Sequence, residues 1–137
     1  MKATRYLISY MLTLIAFLIL DLMWLGFIAN GIYEKFLGYL MAEEVNWGAA
    51  IVFYSLFVAS LFVFVIRPSI KKNSPTSALA LGGFFGLVTY ATFELTNYAT
   101  LKGWPIQMVV IDMLWGTILG AIVCIVGYFI TKILVKE

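Results

Sequence analysis

Four long apolar segments, separated by short polar ones, constrain this chain more than any other feature of its sequence. Each is close to the roughly 20 residues that an α-helix needs to cross the hydrocarbon core of a bilayer. Because backbone polar groups find no water in that core, a segment exposed there is stable only if its own backbone hydrogen bonds are complete, as in a helix. The sequence therefore predicts four transmembrane helices, at residues 6–29, 48–66, 77–101 and 105–130.

Helix-breaking residues mark the boundaries of these segments. Asn30 and Gly31 follow the first segment, and Arg67 and Pro68 are expected to end the second. A short Lys-Gly-Trp-Pro turn joins the third segment to the fourth, with Pro105 suited to the first turn of a helix. These signals favour four separate spans over fewer, longer helices.

The first segment also has an alternative interpretation, since a basic start followed by an apolar stretch is typical of a cleaved signal peptide. The segment is longer than such a peptide needs. Asp21 and Trp24 also stand where small residues should form the cleavage site. We therefore expect a retained transmembrane helix.

Composition supports a membrane protein and excludes several functions. Of the 137 residues, 64% are hydrophobic and 12% are charged, which is more apolar surface than a soluble domain of this size can bury. The single Cys and the absence of His exclude an intrachain disulfide, a Cys/His zinc site and haem ligation by His. A net charge of +2 without a basic cluster argues against nucleic acid as a partner. We expect an all-α integral membrane four-helix bundle, one domain over residues 1–137, with membrane lipids as partners and no cofactor.

The distribution of basic residues predicts the orientation, because cytoplasmic loops are enriched in Lys and Arg. The loop between the first two segments carries three Glu and one Lys, and the last loop carries only Lys102. We therefore expect both termini and the middle loop to be cytoplasmic. The basic residues on that side are Lys2, Arg5, Arg67, Lys71, Lys72, Lys132 and Lys136.

The first outer loop is long enough to form a short helix on the membrane surface. Its aromatic and aliphatic side chains are expected to rest at the lipid headgroups. Trp47 and Trp104 are expected to belong to the interfacial aromatic belt. The loop side chains in question are Tyr33, Phe36, Leu37, Tyr39 and Leu40.

Each predicted span carries one polar residue at a similar distance from its outer end. These residues are Asp21, Tyr54, Glu94 and Asp112. At a rise of 1.5 Å per residue, all four lie roughly 9–12 Å below the outer surface. The sequence therefore predicts one polar site to which all four helices contribute.

Helical spacing adds further residues to this predicted site. Tyr90, Glu94 and Asn97 follow one stripe of the third span, Trp24 shares a face with Asp21, and Trp115 shares one with Asp112. The candidate ligand-binding residues are therefore Asp21, Glu94, Asp112, Asn97, Tyr54, Tyr90, Trp24 and Trp115. The sequence indicates no metal ligands and assigns no catalytic residue.

Carboxyl groups at this depth are candidates for function, because a charge near the bilayer interior costs several kcal/mol on most scales. Every basic residue lies at or beyond the end of a span, so no Lys or Arg is placed to neutralise the acids. Burial and mutual repulsion make it unfavourable for all three to be ionised at once. We expect the site to hold protons or exchange them for a cation, with aromatic faces available to an organic cation. The alternative is a protonated acid that only joins helices by hydrogen bonds.

Small residues repeat at four-residue spacing in the last two spans. Gly82 and Gly86 form one such pair, and Gly116 and Gly120 form another. This spacing lets transmembrane helices approach closely, so we interpret the pairs first as packing within the chain. A contact between two copies in a homodimer is the alternative.

Four motifs in the predicted spans resemble a known family. They are DLMWLG at residues 21–26, FY at 53–54, YATFELTNYATLKGWP at 90–105 and IDMLWG at 111–116. Together they resemble the bacterial predicted-membrane-protein family called domain of unknown function 2177, over nearly the whole chain. The family pattern has Tyr-Asp where this chain has Phe93-Glu94, so the carboxylate is kept and the Tyr hydroxyl is lost. The resemblance implies a small multi-pass protein of the bacterial inner membrane and brings no established activity or catalytic residue.

Three functions remain open at this point. The first is binding or transport of a proton, a cation or an amine-bearing small molecule in an outward-facing pocket of carboxylates and aromatic rings. The second is a membrane-embedded enzyme that uses carboxyl acid and base chemistry on a lipid or isoprenoid. No nucleophile, metal-ligand set or cofactor motif supports a specific reaction, so binding is preferred to catalysis. The third is a structural subunit of a membrane assembly.

Overall fold

The computed structural model describes residues 1–135, where the regular elements are all helical and no strand occurs. Four continuous helical stretches are long and apolar enough to cross a membrane, and this confirms the all-α prediction with four spans. We number them in chain order: span one is Lys2–Ile28, span two Trp47–Lys71, span three Pro75–Thr100 and span four Ile106–Leu134. The α-helices are α1 (Lys2–Met23), α2 (Asn30–Leu37), α3 (Trp47–Leu61), α4 (Arg67–Lys71), α5 (Pro75–Thr100) and α6 (Ile106–Leu134).

Span two does not end at Arg67 and Pro68, as the sequence predicted, but continues to Lys71. A π-helical turn at Phe62–Ile66 precedes these residues, and the Arg67 N–H there bonds to the Phe62 carbonyl. Pro68 then falls in the first turn of α4, where a residue without an N–H loses little. The wider π turn therefore lets the helix continue through Pro68, which the sequence predicted to be the end of the span.

Spans three and four form the closest helix pair of the bundle, and glycines make this possible. A Cβ added to Gly86 would lie 2.0 Å from the Gly116 carbonyl oxygen, and one added to Gly82 would lie 2.5 Å from the Gly120 carbonyl oxygen. Such distances leave no room for any side chain. The two glycine pairs identified in the sequence thus face each other within one chain, as the first interpretation predicted, while a homodimer stays the alternative that the sequence left open.

An apolar core fills the half of the bundle that holds the chain termini. Phe17, Leu61 and Val123 are among its fully buried members, contributed by spans one, two and four. Large apolar side chains on the outside of the bundle remain exposed, such as Leu114 and Phe84 at 60% and 63%. An exterior of this kind suits lipid rather than water.

The opposite end of the bundle carries the two connections that matter for the candidate site. One contains the short helix α2, which agrees with the helix predicted in the first loop. The other is a tight turn in which Gly103 has a φ of +74°, a backbone conformation that glycine adopts most readily. This turn sets the position of Trp104. We call this end the outer end, following the orientation that the basic residues predict.

The orientation itself is a testable prediction. In a Cys124→Ala background, which removes the buried native thiol, a cysteine at Glu43 should react with a membrane-impermeant maleimide on intact cells. A cysteine at Lys72 should react only after permeabilisation, because the basic loop is expected to lie in the cytoplasm. Both positions are exposed, so access to the reagent depends on the side of the membrane.

The reverse labelling pattern would contradict the predicted orientation and place the candidate site near the cytoplasmic surface.

The structure also shows where the basic residues behind this prediction lie, except for Lys136, which is outside the described residues. Lys71 and Lys132 line one cavity of about 570 Å³ at the inner end, together with Lys2. The clustering of these ammonium groups at one end is consistent with the cytoplasmic assignment.

Candidate carboxylate site

Three carboxyl groups from three different spans meet inside the outer half of the bundle. Asp21 on span one is 6% exposed, Glu94 on span three 0% and Asp112 on span four 6%. Asp112 is central to the group, since its carboxyl group interacts electrostatically with those of both Asp21 and Glu94. No basic side chain acts on Asp21 or Glu94 within the described chain.

Asp112 is held from above by a side chain of the outer loop. The Tyr33 hydroxyl donates a hydrogen bond to Oδ1 of Asp112, and Trp24 Nε1 donates to the Tyr33 oxygen at 3.2 Å. Burial first, and then the bond to Asp112, raise the pKa of the Tyr33 hydroxyl above its ordinary value. Tyr33 therefore remains a protonated donor at neutral pH and ties α2 to span four.

Glu94 is held in a similar way by the turn between spans three and four. Trp104 Nε1 donates a hydrogen bond to Oε2 of Glu94 at 2.8 Å. The other oxygen, Oε1, is buried and forms no hydrogen bond of normal geometry among the described residues, although the carboxyl group of Asp112 lies close to that of Glu94. A buried acceptor in this state is costly, so a proton shared with Asp112 or a bound cation would stabilise it.

Two tyrosines complete the inner side of the group. Tyr54 is half-buried beside the carboxyl group of Asp21, and its ring packs on Phe17 at 5.4 Å between centroids. Tyr90 interacts with both Asp21 and Asp112. Its ring occupies the space beside Gly116, where an added Cβ would come within 2.4 Å of the ring carbons. Gly116 thus makes room for Tyr90 one helical turn below Asp112.

Trp24 and Trp115 do not offer free faces on both sides, because they stack on each other. Their ring centroids are 4.4 Å apart and their planes differ by 5°. The buried Nε1 of Trp115 is directed to the carboxyl group of Asp21, although it forms no hydrogen bond of normal geometry with a described residue. The pair therefore forms a flat aromatic wall beside Asp21.

Asn97 is the predicted site residue with the weakest connection to the others. It is half-buried one turn above Glu94, and its side chain forms no hydrogen bond within the described part of the chain. Only its backbone carbonyl is engaged, by the Leu101 N–H at 2.8 Å. The structure therefore brings together Asp21, Glu94, Asp112, Tyr54, Tyr90, Trp24 and Trp115, and leaves Asn97 at the edge.

A cavity of about 320 Å³ reaches the carboxyl group of Asp112. Apart from Asp112, four side chains from spans two and three line it, and three of these four are aromatic. They are Phe53, Thr89, Tyr90 and Phe93. Its volume falls at the lower end of the range typical of small-molecule sites, about 300–1,000 Å³.

Sequence reasoning missed two residues of the site, Tyr33 and Trp104. Both were expected at the lipid headgroups, but both point inward and bond to carboxyl groups. Hydropathy alone does not distinguish an interfacial aromatic from one that folds over a buried acid. For Trp104 the short turn was a usable signal, because it places the indole near the residue ten positions earlier. For Tyr33 no comparable signal exists.

No group of three His, Cys, Asp or Glu side chains within residues 1–135 is arranged to hold a metal ion. Four apolar spans around a shared, buried carboxylate group define the chain as a multi-pass membrane protein. The chain belongs to the family of predicted membrane proteins DUF2177, which matches residues 6–129 and confirms the resemblance seen in the sequence. No curated protein and no solved structure matches it.

Proposed function

We propose that this protein binds an amine-bearing cation at its carboxylate site, as the recognition step of binding or transport in a bacterial inner membrane. The observation that supports it best is the pairing of a buried acid with a cavity. Asp112 is 6% exposed and lines a space of about 320 Å³ whose other walls are mostly aromatic. Such a space suits the positive charge and the organic body of one ligand.

The free hydrogen-bonding capacity of the site fits an ammonium group. Tyr33 donates to one oxygen of Asp112, and Trp104 donates to one oxygen of Glu94. Both donors lie on the outer side of the acids. Oε1 of Glu94 forms no hydrogen bond of normal geometry in the described chain, and Tyr90 lines the cavity beside Asp112. An ammonium group has three donors and no acceptor, so it complements carboxylate oxygens that form no ion pair with a basic residue in the part of the chain that the structure describes.

A structural role is the second candidate, and the same two hydrogen bonds favour it. Tyr33 and Trp104 join the outer connections to spans three and four through the acids. If that were their whole purpose, neutral isosteres of the acids would preserve every measurable property of the protein. No observation favours the enzymatic alternative in the same specific way.

Binding of phenethylamine to the protein in lipid nanodiscs tests the proposal. Asp112→Asn should weaken binding at least tenfold, because removing one partner of a buried charged pair typically costs 2–5 kcal/mol and about 1.4 kcal/mol is a factor of ten. Phenethyl alcohol, which has the same ring without the charge, should bind at least tenfold more weakly than the amine. Changes in Trp fluorescence or heat of binding provide the measurement.

Glu43→Gln is the matched control, since it removes an exposed carboxylate of the outer loop that lies outside the site. It should leave binding unchanged. Asp21→Asn serves as a second site variant should Asp112→Asn fail to fold. Equal affinity for amine and alcohol, or full affinity in a folded site variant, would contradict the proposal and leave the structural role.

A further inference from the structure

We infer that the ligand is a lipophilic amine with a single hydrocarbon chain, and that it reaches the carboxylate site sideways from the bilayer, between spans two and three. This inference rests on the proposed function and adds the class of ligand and its route. Three observations support it: the exposed side chains that line the cavity at Asp112, a second cavity next to it, and the side chains that cover the outer end of the site.

The cavity at Asp112 opens toward the hydrocarbon rather than toward the outer aqueous surface. Phe53 on span two and Phe93 on span three line it, and these side chains are 43% and 55% exposed on the outside of the bundle. Both residues lie inside the membrane-spanning helices. The carboxyl group of Asp112, which also lines the cavity, belongs to a residue that is only 6% exposed, so the cavity leads from the lipid-facing rings to this acid.

Aromatic rings join spans two and three at the level of Phe57 and below. The Phe57 ring contacts Phe85 at 6.2 Å and Tyr90 at 6.5 Å, and Phe64 stacks on Phe85 at 6.5 Å. Nearer the outer end, the rings of Phe53 and Phe93 pack on different partners. Phe53 stacks on Phe57 at 5.6 Å, and Phe93 packs against Trp104 at 5.7 Å. No ring contact joins Phe53 to Phe93 in the described chain.

A second, apolar cavity lies next to the first along the same pair of spans. It has a volume of about 240 Å³ and shares Thr89 with the cavity at Asp112. Its walls reach down span three to Leu81 and include Phe64 on span two. The eight helical steps from Leu81 to Thr89 correspond to roughly 12 Å of helix. We call these two neighbouring cavities the groove; it has the carboxyl group of Asp112 at one end and apolar walls at the other.

The outer end of the site is covered, which argues against direct access from water. Tyr33 and Trp104 lie over Asp112 and Glu94 and bond to them. A ligand that is already dissolved in the bilayer needs no displacement of these side chains. Charge complementarity then selects its polar end, since the groove ends at Asp112 and no ion pair joins this acid to a basic residue of the described chain. The apolar cavity follows one pair of spans and holds about 240 Å³, which suits one hydrocarbon chain rather than two.

Photocrosslinking in phosphatidylcholine vesicles tests this inference. The probe is dodecylamine that carries a diazirine at mid-chain, and the matching dodecanol derivative reports non-specific contact with lipid-facing residues. The amine should label the segment 81–89 at least fivefold more than the lipid-facing side of span four around Leu114 and Ile118. Excess unlabelled dodecylamine should remove this labelling, whereas excess dodecanol should not.

Two substitutions of the same kind on span three provide the matched pair of variants. Thr89→Phe places a ring where the two cavities join and should reduce the specific labelling at least fivefold. Thr92→Phe changes an exposed residue that makes the same type of hydrogen bond to its own helix, and it should have no effect. The competition experiment on the unaltered protein needs no variant to fold.

Failure of the inference can be separated from failure of the proposed function. Uniform labelling of all lipid-facing surfaces, or labelling that dodecylamine does not compete, overturns the lateral route. If phenethylamine binding still depends on Asp112 in that case, the binding function stands with a different route. If neither amine depends on Asp112, both are wrong.

Discussion

Replacing Gly86 by Ala is expected to destabilise the folded bundle by about 1–3 kcal/mol or more, which is the usual effect of forcing a methyl group into a fully packed site. The added Cβ would lie 2.0 Å from the Gly116 carbonyl oxygen and 2.9 Å from its carbon. These atoms belong to the backbone of span four, so no side chain can rotate away and the two helices must separate. The midpoint of thermal unfolding in detergent micelles measures the loss.

Gly83→Ala is the matched control on the same helix. A Cβ there would meet its nearest neighbours at 3.5 Å, which is ordinary van der Waals contact. Ala is also favoured over Gly within a helix by roughly 0.5–1 kcal/mol. Gly83→Ala should therefore leave the protein as stable as before or slightly more stable. Equal destabilisation by both substitutions would show that the observed helix spacing is wrong.

The second large effect is expected at Glu94. Glu94→Ala should destabilise the protein by about 2–4 kcal/mol, because it removes a buried side chain and leaves the Trp104 indole N–H without its acceptor. Glu94→Gln should retain most of the stability, since the amide oxygen can accept the same bond and the amide N–H groups can face Asp112. Unfolding midpoints and the emission maximum of tryptophan fluorescence provide the measurements.

The test is the difference in stability between the Glu94→Gln and Glu94→Ala variants. A Gln variant as unstable as the Ala variant would mean that Glu94 is held as an ion by a charged partner, whereas no basic side chain of the described residues acts on it. An Ala variant as stable as the original would mean that the Trp104 bond contributes nothing. If the Glu94→Gln variant folds, its affinity for the amine can be measured. That affinity separates the role of the acid in binding from its role in stability.

The sequence determined the architecture because the governing forces act locally along the chain. Runs of about 20 apolar residues require helices in a bilayer, whatever their neighbours are. Helical rise converts position in a span into depth, which is why Asp21, Glu94 and Asp112 were expected at one level. The facing glycine pairs of spans three and four followed from the same regular geometry. Pro68 is the exception, because a π turn changed the register before it.

Only the tertiary structure decided what surrounds the acids and how they are reached. Tyr33 and Trp104 lie in or next to connections, where a few dihedral angles determine whether a ring rests at the headgroups or folds onto a carboxyl group. The groove at Phe53 and Phe93 depends on how two helices pack on each other, for example through the ring contact between Phe57 and Phe85. Neither a loop conformation nor a helix separation is encoded in the local periodicity of one segment. Both result from contacts between residues that are distant in the chain.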